Sequence, residues 1–429
     1  MRVALVNPRW SYAGSIYFGC REPHLPLELA YTKAALEARG HEALLLDGHL
    51  HDMAHETIAT KIEQFGADIS VVTTAPSYLF WRCPPPELRV PRDFLDTLGY
   101  RGGIRVAVGP HGSATPGAAL AKLDADVVVR GECEEAVVEL AEIGLSCSIS
   151  GIAWRKEDGT LVNSAPRAAP FVGTPALRWD DDTIRRLTHH HHRFDRAPDG
   201  PGAEVEASRG CPYSCSFCAK IDYRDRYRRR QLSHVLEEID GLVAQGVTYV
   251  YFIDEIFLPD HKLLRALTER KISFGVQTRI DLWTEEMIEA LGAAGCVSIE
   301  AGVESLSTEG RDALAKRCKI DTDALTARLV HARRFVPFVQ ANLIATPQDD
   351  PETIRRWRER LLQDGVWAND PVPLFPYPSS PDYRRLFGEP DAHAWERAHS
   401  HYLAQFDEFS DIQEARPVPL HELEGRCAC

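Results

Sequence analysis

The chain has 429 residues, 44% hydrophobic and 26% charged, with 49 Lys and Arg against 63 Asp and Glu for a net charge of −14. That length accommodates two or three domains of ordinary globular composition. The acidic balance excludes a general nucleic-acid binder, which needs a basic footprint, and no apolar run approaches the ~20 residues of a membrane-spanning helix. Val3-Ala4-Leu5-Val6 reads as a core strand where a signal peptide would lie, so the expected compartment is the cytoplasm. In that compartment, 11 cysteines at irregular spacings favour cofactor ligation over a disulfide framework.

Residues 1–145 alternate short apolar runs with helical patterns, the signature of a parallel sheet covered by helices. Strands are expected at 3–7, 43–47, 69–73, 105–109 and 126–130, with the nearly all-apolar interiors that buried parallel strands require. Helices are expected at 26–39, 55–64, 92–98, 114–122 and 134–143. Ligands of such sheets bind beyond the carboxyl ends of the strands. The residues there are Asn7-Pro8, Asp47-Gly48-His49, Thr73-Thr74-Ala75-Pro76, Gly109-Pro110-His111 and Gly131-Glu132. No G-x-G-x-x-G follows the first strand, so a dinucleotide is not the expected ligand. Tyr17, Phe18, Arg21, Glu22 and His24, in the loop after that strand, suit either contact with a ligand or packing as a lid.

Residues 146–202 form the expected connector: a hairpin at 151–166 turning on Asp158-Gly159, then a stretch rich in Pro, Arg, Asp and Gly. The four histidines at 189–192 lie inside it, where adventitious metal binding is the plain expectation.

The alternation resumes with strands expected at 203–207, 249–254, 273–278, 297–301 and 339–344, and a weaker one at 372–375. Helices fall at 233–244, 260–270, 285–294, 321–334 and 351–363. Six such units over 203–388 make a partial (β/α)6 barrel, whose chemistry sits at the strand C-termini. The basic run Arg224, Arg226, Arg228, Arg229 and Arg230 either holds an anion or, more plainly, pairs with the abundant acids. A C-terminal extension, 389–429, ends Cys427-Ala428-Cys429, read either as a metal or redox pair or as a frayed terminus.

Directly after the strand at 203–207, Ser208-Arg209-Gly210 leads into Cys211-Pro212-Tyr213-Ser214-Cys215-Ser216-Phe217-Cys218. A C-x3-C-x2-C loop this short can present three thiolates to three corners of one iron–sulfur cluster. Thiolates suit iron–sulfur clusters and zinc alike, but structural zinc usually takes four protein ligands. No fourth cysteine is near, which leaves one iron open to a small molecule.

This loop, with aromatic Phe217 before the third cysteine, resembles that of radical S-adenosylmethionine (SAM) enzymes. The resemblance implies a [4Fe–4S] cluster on Cys211, Cys215 and Cys218, with SAM chelating the fourth iron, reductive cleavage of SAM, and an electron donor such as flavodoxin or ferredoxin. It brings Phe217, Asp254, Glu255, Arg279, Glu304 and Ser305 to SAM, with Asp254 and Glu255 near its amino group and Arg279 facing its carboxylate. Gly302-Val303-Glu304-Ser305 resembles the family's G-V-E-S stretch, whereas Ala345 and Ser379 stand where glycines are usual.

The chain as a whole is similar to the subgroup that also carries a cobalamin-binding domain, and most of all to its short "rhizo-twelve" type. The similarity implies a doubly wound, Rossmann-like cobalamin domain, with the corrin over Asn7, Asp47, Thr74, Pro76, Gly109, Pro110, His111, Gly131 and Glu132. Asp47-Gly48-His49-Leu50-His51-Asp52 follows the second strand and lacks the last Gly of D-x-H-x-x-G, so His49 is not assigned to cobalt. His111 stays open as a lower ligand. The expected reaction is methylation of an unactivated carbon of a small molecule. A non-methylating rearrangement or cyclisation, and a cobalamin or redox sensor, are the rivals.

Overall fold

The computed structural model describes residues 1–16, 22–77, 83–188, 200–219, 224, 226–406 and 415–425. The expectations for Tyr17, Phe18, Arg21, the histidines at 189–192, Cys427 and Cys429 fall outside these residues.

The first unit runs β1 (Arg2–Asn7), α1 (Leu27–Ala38), β2 (Glu42–Asp47), α2 (His55–Phe65), β3 (Ile69–Thr73), α3 (Arg89–Leu98), β4 (Ile104–Val108), α4 (Pro110–Ala114), α5 (Pro116–Leu123), β5 (Val127–Val129), α6 (Glu134–Ile143), β6 (Ile152–Arg155) and β7 (Leu161–Asn163). The sheet order is β2-β1-β3-β4-β5-β6-β7, with β1 to β5 parallel. Side chains alternate across a strand, and here both faces are apolar. Val3, Leu5, Val71, Val106 and Val127 enter one core with α1 and α6, while Ala4, Val6, Val72, Ala107 and Val128 enter another with α2, α3 and α5. The order reverses between β1 and β3, which opens a crevice at their C-terminal ends.

Two expectations need correcting here. The hairpin assigned to the connector belongs to this sheet, because β6 pairs antiparallel with β5. Its Ile152, Ala153 and Trp154 are buried and cover what would be an open edge. The single helix expected at 114–122 is two, broken at Thr115 because Pro116 has no N–H to continue the ladder.

After α7 (Asp181–Arg186) come β8 (Gly202–Val205), β9 (Ser208–Arg209), β10 (Arg228–Arg229), α8 (Leu232–Ala244), β11 (Tyr249–Phe252), α9 (His261–Thr268), β12 (Ser273–Thr278), α10 (Glu285–Ala293), β13 (Cys296–Glu304), α11 (Thr308–Ala313), α12 (Thr322–Phe335), β14 (Phe338–Leu343), α13 (Pro351–Gln363) and β15 (Trp367–Ala368). The second sheet has the order β15-β14-β13-β12-β11-β8, is parallel throughout and does not close. It is a partial (β/α)6 barrel. Val205, Phe252, Val276, Ile299 and Val339 pack outward against the helices in the largest core of the chain. Side chains of Asp260, Thr284, Asp321 and Asp350 cap α9, α10, α12 and α13 by accepting backbone N–H bonds.

The sixth strand is Trp367–Ala368, not the expected 372–375. Pro371 and Pro373 flank Val372 and remove the donors a ladder needs, leaving one isolated bridge from Val372 to Ile344.

The chain ends in α14 (Pro381–Phe387), α15 (Ala394–Ala404) and α16 (Leu420–Leu423). These helices build an aromatic cluster with Ile16, Phe375, Tyr377, Trp395, Tyr402 and Phe406. They also strap the second unit to the first: Val418 N donates to Gly14 O at 2.9 Å, and Lys122 Nζ meets Glu424 Oε2 at 3.1 Å. Among the described residues, no helix is long and apolar enough to cross a membrane.

Candidate active site

The cysteine loop leaves β9 at the C-terminal edge of the second sheet. Gly210 makes the turn at φ +78°, and a Cβ there would lie 2.2 Å from Arg226 O, so glycine is required. Gly210 N donates to Glu255 Oε2 at 2.7 Å and Cys211 N to Arg224 O at 3.2 Å. Further along, Ser216 N donates to Leu314 O and Asp382 N to Ser216 O, both at 2.9 Å, and the Ser216 hydroxyl donates to Asp382 Oδ2 at 2.9 Å. The loop is thus pinned at its start and its middle by four separate segments of chain.

Cys215 is buried, and Cys211 and Cys218 are half-buried. A hydrogen bond from Cys218 and the charges of Lys316 and Arg279 lower the Cys215 thiol to about 7, against burial, which raises it. The partner thiol, Cys218, is pushed up by that same bond, by burial and by the neighbouring Cys215 and Cys211. Among the described residues, no three His, Cys, Asp or Glu side chains converge on a point for a single ion. Three neighbouring thiols, one already favouring thiolate, fit a cluster that gives each cysteine its own iron.

The residues expected at SAM lie along the same edge. Phe217 is half-buried in the loop itself. Asp254 is buried and accepts from Ala207 N at 2.8 Å and from the Ser208 hydroxyl, and burial pushes its carboxyl up to about 7. Glu255 also pairs with the Arg224 guanidinium. Arg279 turns a fork to Asp281 (Nη2–Oδ2 2.7 Å, Nε–Oδ1 3.1 Å), gives Nη1 to Lys316 O at 2.7 Å and lies 4.2 Å from the Tyr213 ring centroid. Glu304 sits at φ +62° and pairs with Lys316. Ser305 is fully buried, its hydroxyl bonded to Asp349 Oδ1 at 3.0 Å.

Lys316 was missed by sequence reasoning. It is 2% exposed and flanked by Ala315 and Arg317, both at φ +52°. Three of the five non-glycine residues with positive φ among the described ones, Glu304, Ala315 and Arg317, meet at this point. Strain of that kind gathers at functional sites.

At the first sheet, Asn7 Nδ2 donates to Asp47 Oδ1 at 2.9 Å, and Asn7 Oδ1 accepts from Trp10 Nε1 at 2.7 Å. Asp47 also accepts from His49 N and Leu50 N, burial raises it to about 6, and its Oδ2 is buried without a partner among the described residues. Thr74 and Pro76 follow β3, buried with it. Gly109 (φ +138°) and Pro110 start α4, and Gly131 (φ +94°) bridges to Arg167.

His111 has no nitrogen to spare. Its Nδ1 lies 3.2 Å from Thr74 Oγ1 and its Nε2 3.0 Å from Pro85 O. Its ring lies against Trp395 with centroids 4.4 Å apart, and burial lowers it to about 3. Glu132 is spent on arginines: a fork from Arg228 (2.6 and 2.8 Å), Arg224 at 3.0 Å, and Arg209 at 3.9 Å, which together hold it down to about 2 despite burial. Of the basic run, Arg224, Arg228, Arg229 and Arg230 therefore pair with acids.

Residues 205–361 match the family model described as the Radical SAM superfamily. An uncharacterized methyltransferase of Pyrococcus horikoshii is 27% identical over 325 residues, covering 72% of this chain and 66% of that protein. The anaerobic magnesium-protoporphyrin IX monomethyl ester cyclase of Cereibacter sphaeroides is 25% identical over 405 residues, covering 87% of this chain and 63% of the cyclase. The chain thus spans about two thirds of the length of these curated relatives. In structure it is similar to the radical SAM methyltransferase TsrM of Kitasatospora setae, solved with cobalamin and a [4Fe–4S] cluster bound, with TM-score 0.70 and 21% identity over 89% of this chain and 76% of that one. Residues 205–361 thus carry a radical SAM domain, and the fold as a whole is similar to that of a structure solved with cobalamin and a [4Fe–4S] cluster bound.

Proposed function

We propose that this chain is a cobalamin-dependent radical SAM enzyme that methylates an unactivated carbon of a small molecule. The observation that carries the reading is the pinned three-thiol loop at the C-terminal edge of an all-parallel sheet, with the strand ends of the first sheet joined to it through Glu132 and Arg224. When bound, the cluster with SAM supplies one-electron cleavage of a carbon–sulfur bond, and cobalamin supplies a methyl carrier.

The residues have distinct tasks. Cys211, Cys215 and Cys218 would take three irons and leave the fourth for SAM. Glu255 and Arg224 hold the start of the loop in register. Asp254 and Glu304 offer carboxylates, and Lys316 a cation, on the same edge. The bidentate contact of Arg279 with Asp281 directs that guanidinium to hold the loop around Lys316, and Tyr213 covers it. Asn7, Asp47, Thr74 and Gly109 stand at or just beyond the C-terminal ends of β1, β2, β3 and β4, over which a corrin would lie. The engaged nitrogens of His111 favour cobalamin held without a histidine on cobalt. A flavodoxin- or ferredoxin-class donor would supply the electron.

Anaerobic reconstitution with iron, sulfide and hydroxocobalamin tests this. About four irons and about one cobalamin per chain are expected, and SAM with a strong reductant and substrate should yield both 5′-deoxyadenosine and S-adenosylhomocysteine. Iron without cobalamin would remove the methyl-transfer reading. The cyclase relative favours a second reading, a radical cyclisation with cobalamin bound, in which S-adenosylhomocysteine does not form.

A further inference from the structure

Among the described residues, Arg226 is the one member of the basic run at 224–230 that meets no carboxylate. Arg224, Arg228, Arg229 and Arg230 end on Glu132, Asp260 or Glu238. The Arg226 side chain is exposed, with no ion pair among the described residues. Its backbone stands against the start of the cysteine loop, because a Cβ on Gly210 would lie 2.2 Å from Arg226 O.

A second basic segment borders the loop further along. Ser216 N donates to Leu314 O at 2.9 Å, which sets the chain around Leu314 beside the cysteines. From Arg311 to Ile320 that chain carries Arg311, Lys316, Arg317 and Lys319 against one carboxylate, the exposed Asp312. Arg311 is buried and gives Nη1 to the carbonyls of Ser305 and Leu306, and Lys316 is spent on Glu304. Arg317 and Lys319 are exposed and, like Arg226, have no ion pair among the described residues.

The carboxylates nearest the loop cannot neutralise these three cations. Glu255 is taken by Arg224, Glu304 by Lys316, Asp281 by Arg279 and Asp382 by Arg385. What the two bordering segments leave uncompensated is therefore positive, on a chain whose net charge is −14. The loop itself reaches the surface between them. Pro212 and Ser214 are exposed on either side of Tyr213, and each is the chain neighbour of a cysteine expected to hold the cluster.

We propose that Arg226, Arg317 and Lys319 form the rim on which an acidic one-electron carrier protein docks to reduce the cluster. The proposal rests on the radical SAM reading of the cysteine loop. One electron leaves the carrier and enters the cluster, which passes from its dicationic to its monocationic state; no bond forms or breaks. A small anion is held by cations that converge on it, whereas these three are spread along two exposed segments and suit the broad acidic face of a protein. Opposite charges across such a contact speed the encounter and orient it over the loop more than they add affinity. Docking is therefore expected to weaken as salt screens the charges.

Flavodoxin, a small acidic flavoprotein, serves as the probe. Calorimetry of oxidised flavodoxin with the reconstituted protein reads docking without turnover, and stopped-flow absorbance reads cluster reduction by its hydroquinone. Arg226→Glu combined with Lys319→Glu is expected to weaken docking and slow reduction about tenfold at low salt, and to flatten the salt dependence of both. Reduced methyl viologen, a small cation that needs no docking face, should reduce the cluster of this variant no more slowly than that of the wild type. Arg226→Lys combined with Lys319→Arg, which keeps both charges, should dock and react as the wild type does. Unchanged docking in the charge-reversed variant, or an equal loss of rate with methyl viologen, overturns the proposal. So does tighter binding of a single-stranded oligonucleotide than of flavodoxin, or a dimer of the chain that the charge reversal dissociates. Failure of the wild type to take up iron undoes the reading of the loop itself, whereas a cluster reduced equally well without these charges undoes only the docking rim.

Discussion

Arg209 Nη1 lies 2.5 Å from Glu134 Oε1, so a buried guanidinium on the strand entering the cysteine loop is tied to the helix that follows the fifth strand of the other sheet. Its Nε donates to Glu206 Oε2 at 2.9 Å, and its charge lies over the rings of Phe171 and Tyr31, 4.4 and 4.9 Å from their centroids. Arg224, beside it, joins Glu132 of the first unit to Glu255 of the second. The relative placement of the two sheet edges is therefore held by buried charge as well as by apolar packing.

Removing one partner of a buried pair leaves the other charge uncompensated, at about 3–5 kcal/mol. Arg209→Met is expected to lower stability by that amount in urea unfolding of the apo protein. It should also reduce iron incorporation, because Arg209 immediately precedes the turn at Gly210. A variant with wild-type stability would show that Glu134 and Glu206 are satisfied without it.

Cys215→Ala removes the thiol that already favours the thiolate. Iron retained after reconstitution and desalting is expected to fall to background, and SAM cleavage with it, while far-ultraviolet circular dichroism stays native. Persistent SAM cleavage in this variant would contradict the cluster assignment.

Glu204 is 0% exposed, and burial, aided by the charge of Asp47, raises its carboxyl from 4.5 to about 8. The folded chain thus holds this proton more tightly than the unfolded one does. The stability it contributes is complete below about pH 4.5 and is lost as pH rises to about 8. A tenfold tighter hold on a proton is worth about 1.4 kcal/mol, so the total is a few kcal/mol. Glu204→Gln, neutral at every pH, should flatten the decline of the melting temperature across this window. Asp254 and Glu28, both raised to about 7, will keep part of the slope. An unchanged profile in the variant would mean that Glu204 is charged in the folded protein.

Gly275→Ala would place a methyl group 2.2 Å from Tyr249 Oη and 2.6 Å from Ser298 Oγ. Overpacking of this kind costs about 1–3 kcal/mol. The chemical-denaturation midpoint should fall accordingly, with the slope of the transition unchanged.

Much of the architecture was legible because it is written locally. The five parallel strands of the first unit are short, mostly apolar runs buried on both faces, and the first five of the second interleave polar residues with apolar ones that pack under the helices. The three cysteines are legible for the same reason, since their spacing places three thiols in one loop whatever surrounds it. The basic run at 224–230 was expected to pair with acids, but its partners were not readable: Glu132 lies 96 residues from Arg228.

The misreadings share one cause. The hairpin at 152–163 and the sixth strand were misassigned because strand identity at a sheet edge depends on which backbone is left to pair, and no local pattern states that. Whether His111, left open as a lower ligand, has a nitrogen to spare is likewise not a local matter: Trp395, donating to Thr115 280 residues away, closes over it. Lys316 carries no motif of its own, and the left-handed backbone of Ala315 and Arg317 on either side of it is visible only in three dimensions.

The sequence by itself determined the two α/β units, the polar strand ends and the thiol chemistry, because hydrophobic periodicity and ligand spacing act over a few residues. Only the tertiary structure decided that Arg209 meets Glu134, that Lys316 faces Glu304, and which arginines of the run at 224–230 find an acid. Those neighbours are set by how the loops and helices between the strands pack, which depends on the whole chain rather than on a few adjacent residues.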